Sequence, residues 1–228
     1  MWSELILVSL IGGLICLDRT AAFQLMISRP LVTGPLIGLF LGQPVIGLVV
    51  GLLLELIWIG RPPLGGYIPP NECLAAVLIT AGAILSGRII GHDSRSLIVL
   101  AFLLALPLAR LATFLEGGLR RANVMLARRA ELAVSAGRYR QIPGLNMAGL
   151  GFAFLHGTVF LLLSLPVVVV VLSRLYPVLT PPLLRACELM FLFLPLIGIA
   201  SALSNVNVKR SEKIFGLVFL LALALLSR

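Results

Sequence analysis

Eight apolar stretches, at approximately 5–17, 30–41, 44–59, 72–91, 96–115, 148–172, 183–203 and 214–227, take up about three-fifths of this 228-residue chain. A helix needs about 20 residues to cross about 30 Å of hydrocarbon, which 72–91, 96–115, 148–172 and 183–203 supply. The chain between them is split into short pieces, apart from one longer polar stretch near 117–147, which leaves no continuous length for a separate water-soluble core. The expected fold class is all-α and polytopic, with about six to eight membrane segments, because helices satisfy their own backbone hydrogen bonds inside lipid. The Val-rich run 167–171 has β-propensity, yet the membrane setting makes it helix. Residues 1–228 read as one transmembrane unit. The stretches 30–41 and 44–59 are each too short to span, and Gly42-Gln43-Pro44 parts them. They fit a re-entrant hairpin or one long kinked span, which leaves the side of the N-terminus open.

Charge supports the same class. Only 12% of residues are charged, about half of the ~25% usual in soluble domains. The net charge of +9 is not read as a nucleic-acid signal, because the basic residues gather in loops between apolar segments. The longest polar stretch, 117–147, carries Arg120, Arg121, Arg128, Arg129, Arg138 and Arg140 against Glu131, and the loop 204–213 carries Lys209, Arg210 and Lys213 against Glu212. Two spans separate these stretches, so both fall on one face, expected to be cytoplasmic. Residues 119–134 have the pattern of a basic amphipathic helix, suited to lie on the lipid surface or to dock a cytoplasmic partner. Glu4 stands where a leader peptide would be basic, so the first segment is read as retained.

Enzyme constellations are missing: there is no HExxH, GxSxG, Walker A loop or Cys/His cluster. The three cysteines, Cys16, Cys73 and Cys187, cannot make a complete disulfide framework and read as buried, inert thiols. His92 reads as a solvated loop residue and His156 as a hydrogen-bonded packing residue within a span. Glu55 and Glu188 could form an intramembrane carboxylate pair, but nothing in their flanks supports one.

Most of the chemistry lies between Leu41 and Ala76. Glu55 sits inside an apolar helix, where a charge costs about 3 kcal/mol or more. A Gly/Pro-rich break ending in Asn71-Glu72 follows, and such interruptions mark transporter substrate sites. Trp58 lies three residues after Glu55 and shares its helix face. Asp18 and Gln24 follow the first apolar segment. Carboxylates and amides can grip sugar hydroxyls, and an aromatic face can cover sugar C–H surface. The expected substrate-binding residues are therefore Glu55, Asn71, Glu72, Gln24, Trp58 and Asp18. Simpler roles stand beside these: Asp18–Arg19 and Glu72–Arg61 as interfacial ion pairs, Trp58 and Tyr67 as belt aromatics, and Asn71 as a helix N-cap.

The run from Leu17 to Ala76 resembles the IIC subunit of the mannose/fructose/sorbose class of the bacterial phosphoenolpyruvate-dependent sugar phosphotransferase system. The matching pieces are LDRTAAFQLMISRPLVTGPLIGLFLGQP, GLLLELIWIG and IPPNECLAA; beyond residue 80 only hydropathy corresponds. The resemblance implies a multi-pass permease subunit of the inner membrane, paired with a IID membrane subunit. It would bind a hexose-type sugar for phosphorylation by a cytoplasmic IIB subunit, itself charged by IIA. It implies no phosphoryl-accepting or catalytic residue on this chain, no metal and no cofactor. Two positions depart from the family pattern: Gln43 and Asn71 stand where the family commonly has Asp. A neutral amide weakens the grip on hydroxyls, since charged acceptors bond about twice as strongly. Hence the alternative of a non-transporting scaffold or regulator derived from the family.

Overall fold

The computed structural model describes residues 1–59, 69–205 and 211–226. Arg61, Tyr67, Lys209 and Arg210, and with them the Glu72–Arg61 pair, lie outside the described residues. Among the described residues the chain is helical without strands: α1 (Trp2–Leu17), α2 (Pro30–Phe40), α3 (Pro44–Trp58), α4 (Glu72–Ile90), α5 (Arg95–Ser135), α6 (Ile142–Leu175), α7 (Pro181–Asn205) and α8 (Ser211–Leu226). Segments within α4, α5, α6 and α7 are long and apolar enough to cross a membrane. The Val-rich run lies in α6, as expected.

The centre of the molecule is α4. Every residue from Cys73 to Gly87 is buried, so this helix is apolar all round, as befits one enclosed by others. Its small residues admit neighbours closely: a Cβ on Gly82 would press on Val168 of α6. The Asn71 side chain caps its start by accepting from Leu74 N–H at 3.1 Å, and Gly91, with φ +92°, ends it in the left-handed region. Ser94 caps α5 in the same manner, through Leu97 N–H at 3.1 Å.

The short pair is a hairpin. Pro30 and Pro44 open α2 and α3 at the first helical position, where no N–H is needed. Gly42 turns the chain with φ +76°. The legs then meet backbone to backbone: a Cβ on Gly34 would strike the Gly47 carbonyl, and one on Gly51 the Pro30 carbonyl. This is the small-residue packing that lets helices approach closely in lipid. At 1.5 Å per residue the legs are about 16 and 22 Å long, short of a full span.

Contacts along the bundle define its two ends. At one end, Arg29, Glu55 and Glu72 meet, and so do Arg19 and Glu116. At the other, Arg88 bonds Glu4 at 2.5 Å and the Leu41 carbonyl, Gln43 donates to Asp93 at 3.1 Å, and Ser96 meets Tyr176. The hairpin therefore has its root at the first end and its tip at the second. The N-terminus joins the tip end, opposite the arginine-rich stretch, which answers the question left open by sequence.

Residues 119–134 are helical but do not form a separate helix. They continue α5, which runs unbroken for 41 residues, about 60 Å and twice the hydrocarbon thickness. A helix lying flat on the lipid would need a turn before Leu119, and none occurs there. The stretch instead pairs with the start of α6, where Gly149 leaves space for Asn123 and Leu126.

A carboxylate–arginine cluster at the root of the hairpin

Arg29 is the last residue before α2, and its guanidinium reaches across to the C-terminal turn of α3. Its Nε donates to Glu55 Oε1 at 2.9 Å, and Nη2 donates to the same oxygen. Among the described residues Glu55 Oε2 is held only by Leu31 N–H, at 3.4 Å. Arg29 Nη1 lies 3.9 Å from Glu72 Oε1, and Glu72 accepts no hydrogen bond among the described residues. Both carboxylates are 15% exposed and Arg29 34%. A carboxylate at helical depth thus has a paired cation together with spare acceptor oxygens.

A second ionic group lies beside the first. Arg19 and Glu116 pair at 2.6 Å with both side chains nearly buried, and Arg120 adds a 3.2 Å contact from the next turn of α5. Arg19 and Thr113 both reach the Pro69 carbonyl at 3.4 Å. The chain leading into Asn71 is therefore anchored by the turn after α1 and by α5, which fixes where Glu72 starts α4.

Of the six residues drawn from sequence, Glu55 and Glu72 meet directly through Arg29, and Asn71 adjoins them. Asn71 is buried and its oxygen is engaged in the N-cap. Asp18 does not pair with Arg19. Its carboxylate accepts from Leu25 N–H at 2.6 Å and Ser28 N–H at 3.0 Å, folding the loop that delivers Arg29. Burial alone would raise its pKa, but these N–H groups outweigh it and hold the carboxyl below the usual aspartate value. Gln24 is exposed, with φ +55°, and among the described residues its side chain donates only to the Thr20 carbonyl, at 3.5 Å. Trp58 is 5% exposed and part of the apolar core, so it is no lipid-facing belt residue and offers little open ring face.

Sequence reading did not place Arg29, Arg19 or Glu116 among the binding residues. Arg29 was signalled by its place before Pro30, and Glu116 by Arg120 four residues later on a shared face. Gln43 lies at the hairpin tip, far from the cluster, and its amide donates to Asp93, where a second carboxylate would repel. His92 is exposed but bonds Tyr176 OH at 3.2 Å rather than facing only solvent. Among the described residues His156 Nε2 is buried without a hydrogen-bond partner, against the expected hydrogen bond. Glu188 lies toward the tip end with Arg95 and Arg185, which separates it from Glu55. A cleft of about 640 Å³ between α5 and α6, with Asn123 and Asn146 in its wall, holds none of the six residues.

Comparison with known proteins places this geometry in a family. Residues 2–227 match the family described as the sorbose-specific IIC component of the phosphotransferase system. The chain is 48% identical over 59 residues to a putative N-acetylgalactosamine permease IIC component of Escherichia coli K12, covering 26% of this chain and 44% of that protein. It is 31% identical over 193 residues to the sorbose-specific EIIC component of Klebsiella pneumoniae, covering 84% of this chain and 70% of that protein. The fold resembles a chain in the structure of the mannose transporter ManYZ with microcin E492, with a TM-score of 0.61 at 21% identity, over 99% of this chain and 90% of that one. The chain is a multi-pass membrane protein and belongs to the sorbose/mannose family of phosphotransferase-system IIC components.

Proposed function

We propose that this chain binds and translocates a hexose-type sugar at the root of the α2–α3 hairpin, as the permease subunit of a bacterial inner-membrane phosphotransferase system. The observation that carries the reading is the Glu55–Arg29–Glu72 cluster, a partly buried charge group at a broken-helix junction. Glu55 Oε2 and the Glu72 carboxylate supply acceptors for paired hydroxyls, and Arg29 supplies donors. Arg29 occupies Glu55 Oε1, so an entering sugar either adds at Oε2 or displaces the guanidinium from Oε1. Asn71 contributes through its amide nitrogen, since its oxygen caps α4. Asp18 acts by positioning the Arg29 loop, while Gln24 and Trp58 stand at the margin of the site.

The same end of the bundle carries the arginine-rich hairpin of α5 and α6, and the positive-inside bias makes that end cytoplasmic. Sugar held there is within reach of a phosphoryl donor in the cytoplasm, a IIB subunit recharged by IIA. A IID-type membrane subunit completes the permease, and the chain supplies no phosphoryl-accepting group. The test is phosphoenolpyruvate-dependent uptake of labelled sugars into vesicles containing the chain and its IID partner. Uptake that requires both membrane subunits and the phosphoryl donor supports the reading. Sugar binding without uptake would indicate a regulatory subunit instead, and the absence of both would remove the proposal.

A further inference from the structure

The geometry points to a redox-active dithiol, Cys16 with Cys73, that closes reversibly into a disulfide between α1 and α4. The two residues are 57 positions apart, yet their sulfurs lie 2.7 Å from each other with both thiols free. A covalent S–S bond of about 2.05 Å is therefore reached with less than an ångström of further approach. Cys73 is fully buried in the first turn of α4, and Cys16 is half-buried in the last turn of α1. The packing around Cys16 keeps α1 close: Gly157 of α6 has no side chain at this point, and a Cβ there would lie 3.5 Å from Cys16 Cβ. Thr33 Oγ1 approaches the Cys73 sulfur at 4.0 Å, so the α2 leg borders the same spot. Cys187, on α7, belongs to no such pair.

Two sulfurs so placed act as one chemical group. In the forward step each thiol gives up its proton, the S–S bond forms, and the two electrons and two protons reduce a lipid-soluble quinone to its hydroquinone. A dithiol reductant reverses the step by thiol–disulfide exchange. Cys16, less deeply buried than Cys73, is the thiol an oxidant meets first. The bond would tie the turn that carries Arg19, three residues after Cys16, to the turn that carries Asn71 and Glu72, directly before Cys73.

The test uses the full chain in membrane vesicles with Cys187→Ala, which leaves only the pair. The vesicles are exposed to tetramethyl-benzoquinone, which is fully substituted and so disfavours arylation of thiols, then denatured and tagged with maleimide-polyethylene glycol. The expected result is a change from two tags to none on a monomeric band, with both tags restored by dithiothreitol. Cys73→Ser in the same background should keep its single tag throughout. Two tags retained after the quinone, or reversible loss of the tag in Cys73→Ser, overturns the assignment.

Discussion

Glu55→Gln tests the site most directly, because it removes one charge and keeps the shape. The carboxylate is 15% exposed and its Arg29 partner 34%, so the pair falls between exposed pairs worth 0.2–1 kcal/mol and buried ones costing about 3–5 when broken. The amide oxygen still accepts from Arg29, and Glu72 stands 3.9 Å from the guanidinium. The expected stability cost is about 1–2 kcal/mol, or a Tm lower by roughly 2–8 °C for a chain of this size. Sugar binding should suffer more. Each hydroxyl that loses a charged acceptor forfeits about 1.5 kcal/mol, roughly tenfold in Kd. Binding to the permease in nanodiscs should weaken at least tenfold, with uptake at matched protein levels falling in parallel. Uptake within twofold of wild type would remove Glu55 from the site. Unchanged affinity in the folded fraction, with a lower Tm, would leave Glu55 a structural partner of Arg29 alone.

Asn71→Ala should cost about 1 kcal/mol of stability through the lost cap, while Asn71→Asp should cap equally well; weaker sugar binding in Asn71→Ala at unchanged Tm would instead make the substrate role dominant. Gly47→Val places side-chain atoms on the Gly34 carbonyl and should destabilise by about 1–3 kcal/mol, seen as a lower Tm; no change would mean the legs separate freely. Because the Asp18 pKa is depressed in the fold, its contribution is full above its unfolded value of about 3.9 and is lost as pH falls through the lower folded value. Proteolysis between residues 20 and 28 should therefore rise only in strongly acidic buffer, and Asp18→Asn should show that susceptibility at neutral pH. Cysteines placed at 120–140 or at 213 should resist an impermeant thiol reagent outside intact cells, while one at Thr180 should react; labelling of the arginine stretch from outside would invert the orientation.

The class of the fold was legible because hydropathy and segment length leave helices little competition in lipid. The hairpin was legible only as one of two options. Gly34, Gly38, Gly47 and Gly51 carry the deciding signal in their four-residue spacings, but small-residue spacing names a close contact only once its partner helix is known. In the site, Glu55 stood out because a carboxylate within an apolar segment is costly, although the structure puts it in the last turn of α3 rather than at mid-helix. Arg29 did not, since an arginine before a proline in a loop resembles any interfacial cation until the chain folds back on itself. Residues 119–134 were legible as helix but not as the continuation of α5: amphipathic periodicity reports which face is polar, not what the other face lies against. Asn71 could be read as cap or ligand from sequence, and the 3.1 Å bond to Leu74 N–H establishes the first use of its oxygen without testing the amide nitrogen.

The glycine contacts between α2 and α3 have a mechanical consequence. Side chains between two helices can change rotamer and absorb a displacement, but two backbones in direct contact have no such slack. The hairpin therefore behaves as a lever whose tip is fastened to α4 and to the loop before α5 through Arg88, Gln43 and Asp93. Loosening that fastening would swing the root, carrying Arg29 and Glu55 together because one sits on each leg. Glu72, fixed on α4, would stay behind. The adjustable dimension of the cluster is thus the gap between Arg29 and Glu72, already its loosest ion pair.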